Sequence, residues 1–196
     1  MLYIFDEIDK LEDLPMDFLS DERREKALKH RSPLGRKLSV GVYLLLCLAL
    51  KEEYSIEEAV EFGYNENGKP FLKDYPHIHF NLSHCKKAAA CAVSDSEVGV
   101  DVQDIRPVSD KVAKRVLTEA EYGNFKVAQA PDEYFCEIWT VKESFLKQTG
   151  QGIRGDLRKI SAESITDKTI YRGAGYFCCV TGSDVQMKRV GREDIG

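Results

Sequence analysis

Residues 98–103 read VGVDVQ, a run in which small or branched apolar residues alternate with polar ones from Asp101 onward. This pattern predicts a β-strand, because successive side chains of a strand point to opposite faces. Val100 and Val102 then share one face, while Asp101 and Gln103 lie together on the other. A carboxylate and an amide oxygen side by side on a rigid strand form a plausible half-site for a hard cation such as Mg²⁺. A merely solvated strand face would show the same pattern.

Strand and helix patterns lie on both sides of this run. Strands are expected at residues 2–5, 77–83, 88–93, 159–165, 169–180 and 185–190, with a turn at 65–70. Helices are expected from the N-cap Ser20 to residue 31, at 36–51 after an interruption by Pro33 and Gly35, at 109–114 and at 131–150. A capping box of Ser55 and Glu58 predicts one more short helix. Hairpin-like strand groups in both halves predict an α+β fold with mainly antiparallel sheets.

The composition narrows the classes of function. Of 196 residues, 28 are basic and 33 acidic, which gives a net charge of −5 and no general reason to expect nucleic acid or an anionic membrane as partner. The apolar run at 42–50 is too short to span a bilayer, and the N-terminus lacks the pattern of a signal peptide. The six cysteines have no C-x-x-C spacing, which favours free thiols in a reducing compartment. A cytoplasmic protein is therefore expected.

The expected helix at 131–150 carries a second candidate site. Glu143 and Lys147 are four residues apart, and Trp139 precedes Glu143 by four, so the three share one stripe, which Lys142 flanks. An exposed Glu–Lys pair would have the same spacing and little energetic value. The only tryptophan of the chain lies on this stripe, however, and tryptophan favours burial. A partly enclosed face with one acid and two lysines suits a metal-bound phosphate group.

The end of the expected strand at 77–83 carries a third candidate site, in the sequence FNLSH at residues 80–84. Ser83 and His84 could donate hydrogen bonds to a phosphate or an adenosine group. A turn with a capping serine explains the same two residues equally well.

Four spaced motifs, taken in order, resemble the signature of the 4′-phosphopantetheinyl transferase superfamily. They are GKP at 68–70, FNLSH at 80–84, GVDVQ at 99–103 and WTVKESFLK at 139–147. The likeness is greatest to the monomeric type that activates surfactin synthetase and other nonribosomal peptide synthetases. Residues 22–26, 118–122 and 148–152 also resemble segments of that family, so the likeness extends from about Ser20 to Ile160.

The resemblance implies a fold of two similar α+β halves related by a pseudo-twofold axis, with the active site between them. The division would fall near residues 95–98. Residues 1–95 would then supply most nucleotide contacts, and residues 96–196 the metal strand and the motif helix. A monomer is expected, because one chain contains both halves.

The resemblance also implies residue roles. Asp101 and Glu143 would coordinate Mg²⁺, with Mn²⁺ as the alternative ion, bridging the pyrophosphate of coenzyme A, and Gln103 would be the third metal position. Lys147 and Lys142 would neutralise charge on the transferred phosphate. The remaining contacts to coenzyme A would come from two groups: Ser83, His84, Lys69 and Pro70 at the nucleotide end, and Arg23, Lys26 and Arg36 or Lys37 at the 3′-phosphate and pyrophosphate.

In the implied reaction, a serine hydroxyl of an apo acyl or peptidyl carrier protein attacks the β-phosphate of coenzyme A, and 3′,5′-ADP leaves. Asp101, Glu143 and Lys147 would be catalytic, and Glu143 would orient or deprotonate the serine. Phosphoryl transfer depends mainly on charge neutralisation and positioning, which these residue types provide. Position 103 departs from the family pattern, which has glutamate there, and a neutral amide is expected to weaken metal binding.

Two alternatives remain open at the level of sequence. A homologue weakened at Gln103 could bind coenzyme A or a carrier protein without catalysis. An unrelated Mg²⁺-dependent phosphotransferase is the other, although no G-x-x-x-x-G-K-[ST] loop occurs. The sequence does not identify the carrier; basic stretches at 23–31 and 111–115 are candidate docking or phosphate-binding surfaces, or simply solvated helix faces.

Overall fold

A computed structural model describes residues 1–11, 19–150, 152, 156–182 and 184–195. Three short 3₁₀ turns occur at Ile8–Lys10, Leu157–Lys159 and Arg192–Asp194. The helices are α1 (Asp21–Leu28), α2 (Pro33–Tyr54), α3 (Asp110–Val116), α4 (Glu119–Val127) and α5 (Pro131–Thr149). The strands are β1 (Leu2–Phe5), β2 (Phe62–Tyr64), β3 (Pro70–Leu72), β4 (His79–His84), β5 (Ala89–Ser94), β6 (Gly99–Asp104), β7 (Lys168–Gly173), β8 (Tyr176–Thr181) and β9 (Met187–Arg189).

Two sheets share one topology. In the first, β1 is followed by the long helix α2 and the hairpin β4–β5, and β5 lies between β4 and β1. In the second, β6 is followed by the long helix α5 and the hairpin β7–β8, and β8 lies between β7 and β6. These pairings are antiparallel, as are those of the separate hairpin β2–β3. The predicted α+β class with antiparallel sheets is confirmed.

The C-terminal segment departs from this simple division. Strand β9 pairs in parallel with β1, at the free edge of the first sheet, and Val190 and Ile195 join the hydrophobic core of that sheet. Residues from the predicted second half thus complete the first half. The division into 1–95 and 96–196 stays a prediction.

Each long helix covers one face of its sheet. Helix α2 packs on β5 with residues such as Val42, Leu45 and Leu46, and α5 packs on β6 and β8. By length and composition alone α2 could cross a membrane, a test that buried core helices also pass. Its apolar residues contribute to the core of the first sheet.

Close contact between α5 and β6 depends on Gly99. A methyl group at this position would lie 2.0 Å from the carbonyl oxygen of Ser144 and 2.5 Å from the amide nitrogen of Gln148. The Ser144 hydroxyl donates to the Gly99 carbonyl at 3.0 Å. Helix α5 therefore lies against the metal-strand candidate with no room for a side chain between them.

We expect Gly99→Ala to lower the free energy of unfolding by about 3 kcal/mol, because overpacking against backbone atoms forces the helix away from the strand. Gly123→Ala in α4 is the matched control, since nothing lies within 4 Å of a methyl group there. That control should be neutral or slightly stabilising. Urea denaturation of both variants measures the difference, and equal stability would contradict the close packing.

Several predicted elements need correction. The helix expected from residue 36 begins three residues earlier, with Pro33 at its first position after the N-cap Ser32, so that Gly35 lies inside α2 and not before it. Ser55 opens no helix; it is the left-handed C-cap of α2, with φ 57°. Residues 159–165 form a 3₁₀ turn and further turns rather than a strand, and α4 was not predicted as a helix. The turn at 65–70, the helix start at Ser20 and the strands at 2–5, 77–83, 88–93, 98–103 and 185–190 are confirmed with shifts of a few residues. The stretch expected at 169–180 is not one strand but the hairpin of β7 and β8, and β2 and β3 were not predicted.

Candidate active site

A cluster of four polar residues lies where β4, β6 and α5 meet. Asp101 on β6 accepts hydrogen bonds at Oδ1 from the Lys147 ammonium at 2.6 Å and from the Ser83 hydroxyl at 2.9 Å. Lys147 Nζ also donates to Ser83 Oγ at 2.9 Å. Glu143, one turn before Lys147 on α5, is close enough for the charge of Asp101 to affect it. The three sequence motifs that supply these residues thus meet at one point.

Two carboxylate oxygens of this cluster stand out. Within the part of the chain that the structure describes, neither Asp101 Oδ2 nor Glu143 Oε1 has a hydrogen-bond partner, although both residues are buried. Burial and the nearby charge of Asp101, partly opposed by Lys147, raise the pKa of Glu143 to about 7. A buried carboxylate oxygen without a hydrogen-bond partner costs free energy, which a cation bound to that oxygen would offset.

The donor set fits a hard divalent cation. Carboxylate oxygens are the ligands that Mg²⁺ and Mn²⁺ prefer, and Mg²⁺ commonly keeps several water ligands with only one or two carboxylates from the protein. Among the described residues, no group of three or more His, Cys, Asp or Glu side chains could hold a metal. Asp101 and Glu143 are the two carboxylates that the protein would supply to such an ion. Gln103, half-buried two residues beyond Asp101 on β6, stays a predicted third contributor.

A cleft of 430 Å³ opens beside the cluster. Its walls include four cationic side chains, those of Arg23, Lys26, Lys69 and Lys147, and the carboxylate of Glu143. The rest of its lining comes from the β2–β3 hairpin, from β4 and from the C-terminal end of α5: Phe62, Asn67, Gly68, Pro70, Asn81, Leu82, Leu146, Gly150 and Gly152. The concentration of positive charge is local, since the chain as a whole is acidic. Such a cleft suits a polyanionic ligand.

Packing holds Arg23 of α1 in place at the cleft. The guanidinium donates to the Ser39 carbonyl at 3.1 Å and lies 4.9 Å from the ring centre of Tyr43 and 5.5 Å from that of Phe62. Lys26, one turn later, lies 5.8 Å from the Tyr64 ring centre. Cation–π contacts of this kind orient a cation without cancelling its charge.

Lys69 and Pro70, which the family resemblance assigned to the nucleotide end of coenzyme A, both line the cleft. Lys69, however, already has partners within the protein. Its ammonium donates to the Gln148 carbonyl at 2.7 Å and forms an ion pair with Glu97. These contacts hold the turn between β2 and β3 against the C-terminal end of α5. Whether Lys69 also binds coenzyme A stays a prediction.

His84 lies exposed at the end of β4, next to the cluster. Partial burial of the ring and the positive charges of His30 and Lys147 lower its pKa. A neutral imidazole is therefore favoured, and it can donate one hydrogen bond to an anion without adding charge. His30 was not predicted as a neighbour of this site.

The prediction that Lys142 contacts the phosphate needs correction. Its side chain is fully buried, and its ammonium donates to Glu121 Oε2 at 2.6 Å, to the Val116 carbonyl at 2.8 Å and to the Leu157 carbonyl at 3.2 Å. Consecutive helical residues point about 100° apart, so Lys142 faces away from the side that carries Glu143. Lys142 thus ties α5 to the elements behind it.

Arg36 and Lys37 are also not brought to the cluster. Arg36 is exposed on the first turn of α2 and is not among the residues that line the cleft. Lys37 lines a different cavity, of 520 Å³, with Asp6, Lys86 and Lys87. The family resemblance alone had implied a role for these two residues, and a phosphate contact of either one stays a prediction.

Two residues that hold the site together, Asn81 and Glu121, were not predicted from the sequence. Asn81 lines the cleft and accepts a hydrogen bond from the Val100 amide at 3.1 Å, and strand alternation would have placed it on the same face as Ser83. Glu121 accepts from Lys142, from the Thr118 amide at 2.8 Å and from the Ala162 amide at 2.8 Å. Its capping-box spacing from Thr118 was a usable signal.

Comparisons with known proteins agree with this geometry. A family model described as the 4′-phosphopantetheinyl transferase superfamily matches residues 97–190. A 4′-phosphopantetheinyl transferase of Bacillus subtilis is 36% identical over 148 residues, which cover 72% of this chain and 65% of the relative.

Two further relatives match over similar lengths. The transferase Sfp of Bacillus subtilis strain 168 is 35% identical over 144 residues, covering 70% of this chain and 63% of Sfp. The transferase psf-1 of Bacillus pumilus is 32% identical over 153 residues, covering 76% and 66%. The chain spans just under two thirds of the length of these relatives. Together with the family model, they show that the chain belongs to the 4′-phosphopantetheinyl transferase superfamily.

Proposed function

We propose that this protein transfers the 4′-phosphopantetheine group of coenzyme A to a serine of an apo carrier protein, in a magnesium-dependent reaction. The observation that carries the proposal is the cluster of Asp101, Glu143, Lys147 and Ser83 beside a cleft lined by cations. Two buried carboxylate oxygens of this cluster have no hydrogen-bond partner among the residues that the structure describes. Coenzyme A carries a pyrophosphate and a 3′-phosphate, which are the chemical groups such a cleft would bind.

Asp101 and Glu143 would hold the metal ion, with Gln103 as a further contributor. When bound, Mg²⁺ would neutralise charge on the pyrophosphate and on the leaving phosphate. Mn²⁺ prefers similar oxygen ligands and is an expected substitute.

Glu143 is the group suited to receive a proton. Without a bound cation, burial and the charge of Asp101 raise its pKa to about 7, and a bound cation would lower that pKa and favour the ionised carboxylate, the form that can accept a proton. In the proposed step the serine oxygen forms a bond to the β-phosphorus, and the serine proton passes to Glu143. The bond from that phosphorus to the bridging oxygen breaks, and 3′,5′-ADP leaves with the electron pair.

Lys147 and the cations of α1 would position the substrate. The Lys147 ammonium, about a third exposed, is fixed by Asp101 and Ser83 at the edge of the cleft, where it can reach a phosphate oxygen. Arg23 and Lys26 form the far wall and would bind the remaining phosphates. Fixed charges of this kind stabilise a transition state without reorganising during the reaction.

A second groove is the surface on which we propose that the carrier protein docks. It has a volume of 390 Å³, begins at Gln103 on the strand of Asp101, and has an apolar floor that includes Phe135 and Trp139. Exposed Arg106 and the exposed Val112 of α3 lie on its rim. An acidic carrier surface with one apolar side chain would complement this groove.

The assembly and location that we propose follow from simpler features. Both sides of the cleft come from one chain, which supports action as a monomer. The six cysteines are free thiols, which supports a reducing compartment such as the cytoplasm.

The test begins with calorimetric titration of coenzyme A into the protein, in Mg²⁺ and in chelator, and continues with release of 3′,5′-ADP when an apo carrier is added. We expect tighter binding in Mg²⁺, and release only when coenzyme A, metal and carrier are all present. Binding without release on a broad carrier panel would favour the homologue that binds without catalysis. The names of the relatives and the intact cluster do not favour that alternative.

A further inference from the structure

Strands β4 and β6 run side by side but belong to different sheets. Strand β4 pairs with β5 at the edge of the first sheet, and β6 pairs with β8 at the edge of the second. The two edges contact each other where the halves of the protein meet. Edge strands present unpaired backbone groups, which need partners when they are buried.

Side chains of β4 provide those partners in place of a backbone ladder. Asn81 Oδ1 accepts from the Val100 amide at 3.1 Å, and Ser83 Oγ accepts from the Val102 amide at 3.1 Å. All four residues are buried. The spacing of two on both strands makes this a regular side-chain ladder between the halves.

The ladder brackets Asp101. The two amides that it binds belong to the residues directly before and after this carboxylate, so it fixes the backbone that directs the Asp101 side chain. Ser83 also bonds the carboxylate and Lys147, whereas the side-chain oxygen of Asn81 accepts from the backbone of β6. Asn81 therefore separates the effect of backbone placement from direct contact with the cluster.

We propose that Asn81 is a positioning residue: its side-chain oxygen holds the register of β6 against β4 and so sets Asp101 at the correct place to bind the metal ion. This inference rests on the proposed function for its consequence at the metal. It assigns Asn81 no contact with the reacting atoms.

Three variants separate the hydrogen bond from the bulk of the side chain. Asn81→Leu keeps nearly the same shape and removes the acceptor, whereas Asn81→Asp keeps an acceptor oxygen for the Val100 amide. Asn81→Ala removes the same acceptor without adding an apolar branch, and it replaces the leucine variant if that variant does not fold.

The first measurement is amide hydrogen exchange by NMR on the metal-free protein. Loss of a buried hydrogen bond is expected to speed exchange of the Val100 amide about tenfold in Asn81→Leu or Asn81→Ala, with near wild-type exchange in Asn81→Asp. If the Val100 amide exchanged as slowly in the variants that lack the acceptor as in the wild type, the proposed side-chain ladder would be wrong.

The second measurement is Mn²⁺ binding, followed by the EPR signal of the free ion, together with coenzyme A affinity in chelator. Asn81→Leu is expected to raise the Mn²⁺ dissociation constant about tenfold. Metal-free coenzyme A affinity should change less than this, although Asn81 also lines the cleft. Asn81→Asp should restore metal binding at least to the wild-type level. A change confined to coenzyme A affinity would overturn the inference and make Asn81 a ligand contact.

The same measurements distinguish failure of the proposed function from failure of the positioning role of Asn81. If the wild-type protein bound neither Mn²⁺ nor coenzyme A, the proposed function would fall, and with it the role of Asn81 in metal binding. If the wild type bound both and Asn81→Leu bound Mn²⁺ equally well, only the positioning role would be refuted.

Discussion

Glu143→Gln is expected to lower the rate of phosphopantetheine transfer by about a thousandfold, the scale of a lost catalytic base. The substitution keeps the shape of the side chain and removes both the charge that would hold the metal and the site that would receive the serine proton. The rate of holo-carrier formation at saturating coenzyme A measures the effect. Glu137→Gln on the same helix is the control, with an expected change of less than about twofold, because the half-buried Glu137 is not among the residues that line the cleft.

Although Glu143→Gln should lower the rate of transfer, it should raise the stability of the metal-free protein at alkaline pH. The pKa of Glu143 is raised to about 7 in the folded protein, from 4.5 as its ordinary value. The folding contribution of the protonated carboxyl is therefore fully present below about pH 4.5 and is lost as pH rises through 7.

In chelator at pH 8, Glu143→Gln should accordingly be more stable than the wild type by up to about 3 kcal/mol, and the difference should vanish below about pH 4.5. Thermal or urea unfolding across this range tests the sign. A variant that is both inactive and less stable at pH 8 would indicate that Glu143 supports the fold instead of the site.

Lys142→Met is expected to lower the free energy of unfolding by about 3–5 kcal/mol, because it leaves the buried carboxylate of Glu121 without its cation. Lys142 is fully buried, and its ammonium has three protein acceptors from three different elements. Burial alone would raise the pKa of Glu121, but Lys142 and two backbone amides hold it below its ordinary value. Urea denaturation measures the loss.

Two comparisons sharpen this second prediction. Lys126→Met removes an exposed lysine paired with Asp110 and should cost no more than about 1 kcal/mol. Adding Glu121→Gln to Lys142→Met should recover part of the loss, because the partner left behind is no longer charged. A cost below about 1 kcal/mol for Lys142→Met would mean that water or another cation compensates Glu121.

The sequence predicts which residue types form the site, but it does not predict all of the contacts between them. Strand alternation placed Asp101 correctly, and helical spacing placed Glu143 and Lys147 on one face. These patterns are local, and the structure preserves them. The contact between Ser83 and Asp101 is not local, since it joins edge strands of two sheets, and only the tertiary arrangement of the halves reveals it.

The wrong predictions concern local sequence patterns that are compatible with more than one tertiary arrangement. Lys142 lies next to the active stripe in sequence, but which side of α5 faces the cleft depends on what packs behind the helix. Ser55 with Glu58 has the spacing of a capping box, yet the preceding helix continues to Tyr54 and uses Ser55 as its end. The return of β9 to the first sheet has no signal in its own three residues.

The most direct test is the intact mass of an apo carrier protein after incubation with this protein, coenzyme A and Mg²⁺. The account predicts that the carrier gains one phosphopantetheine, that chelator or Glu143→Gln suppresses the gain, and that a carrier with alanine at the acceptor serine gains nothing. If a broad panel of carriers gained no mass although the protein bound coenzyme A, or if Glu143→Gln transferred at the wild-type rate, the account of this site would be contradicted.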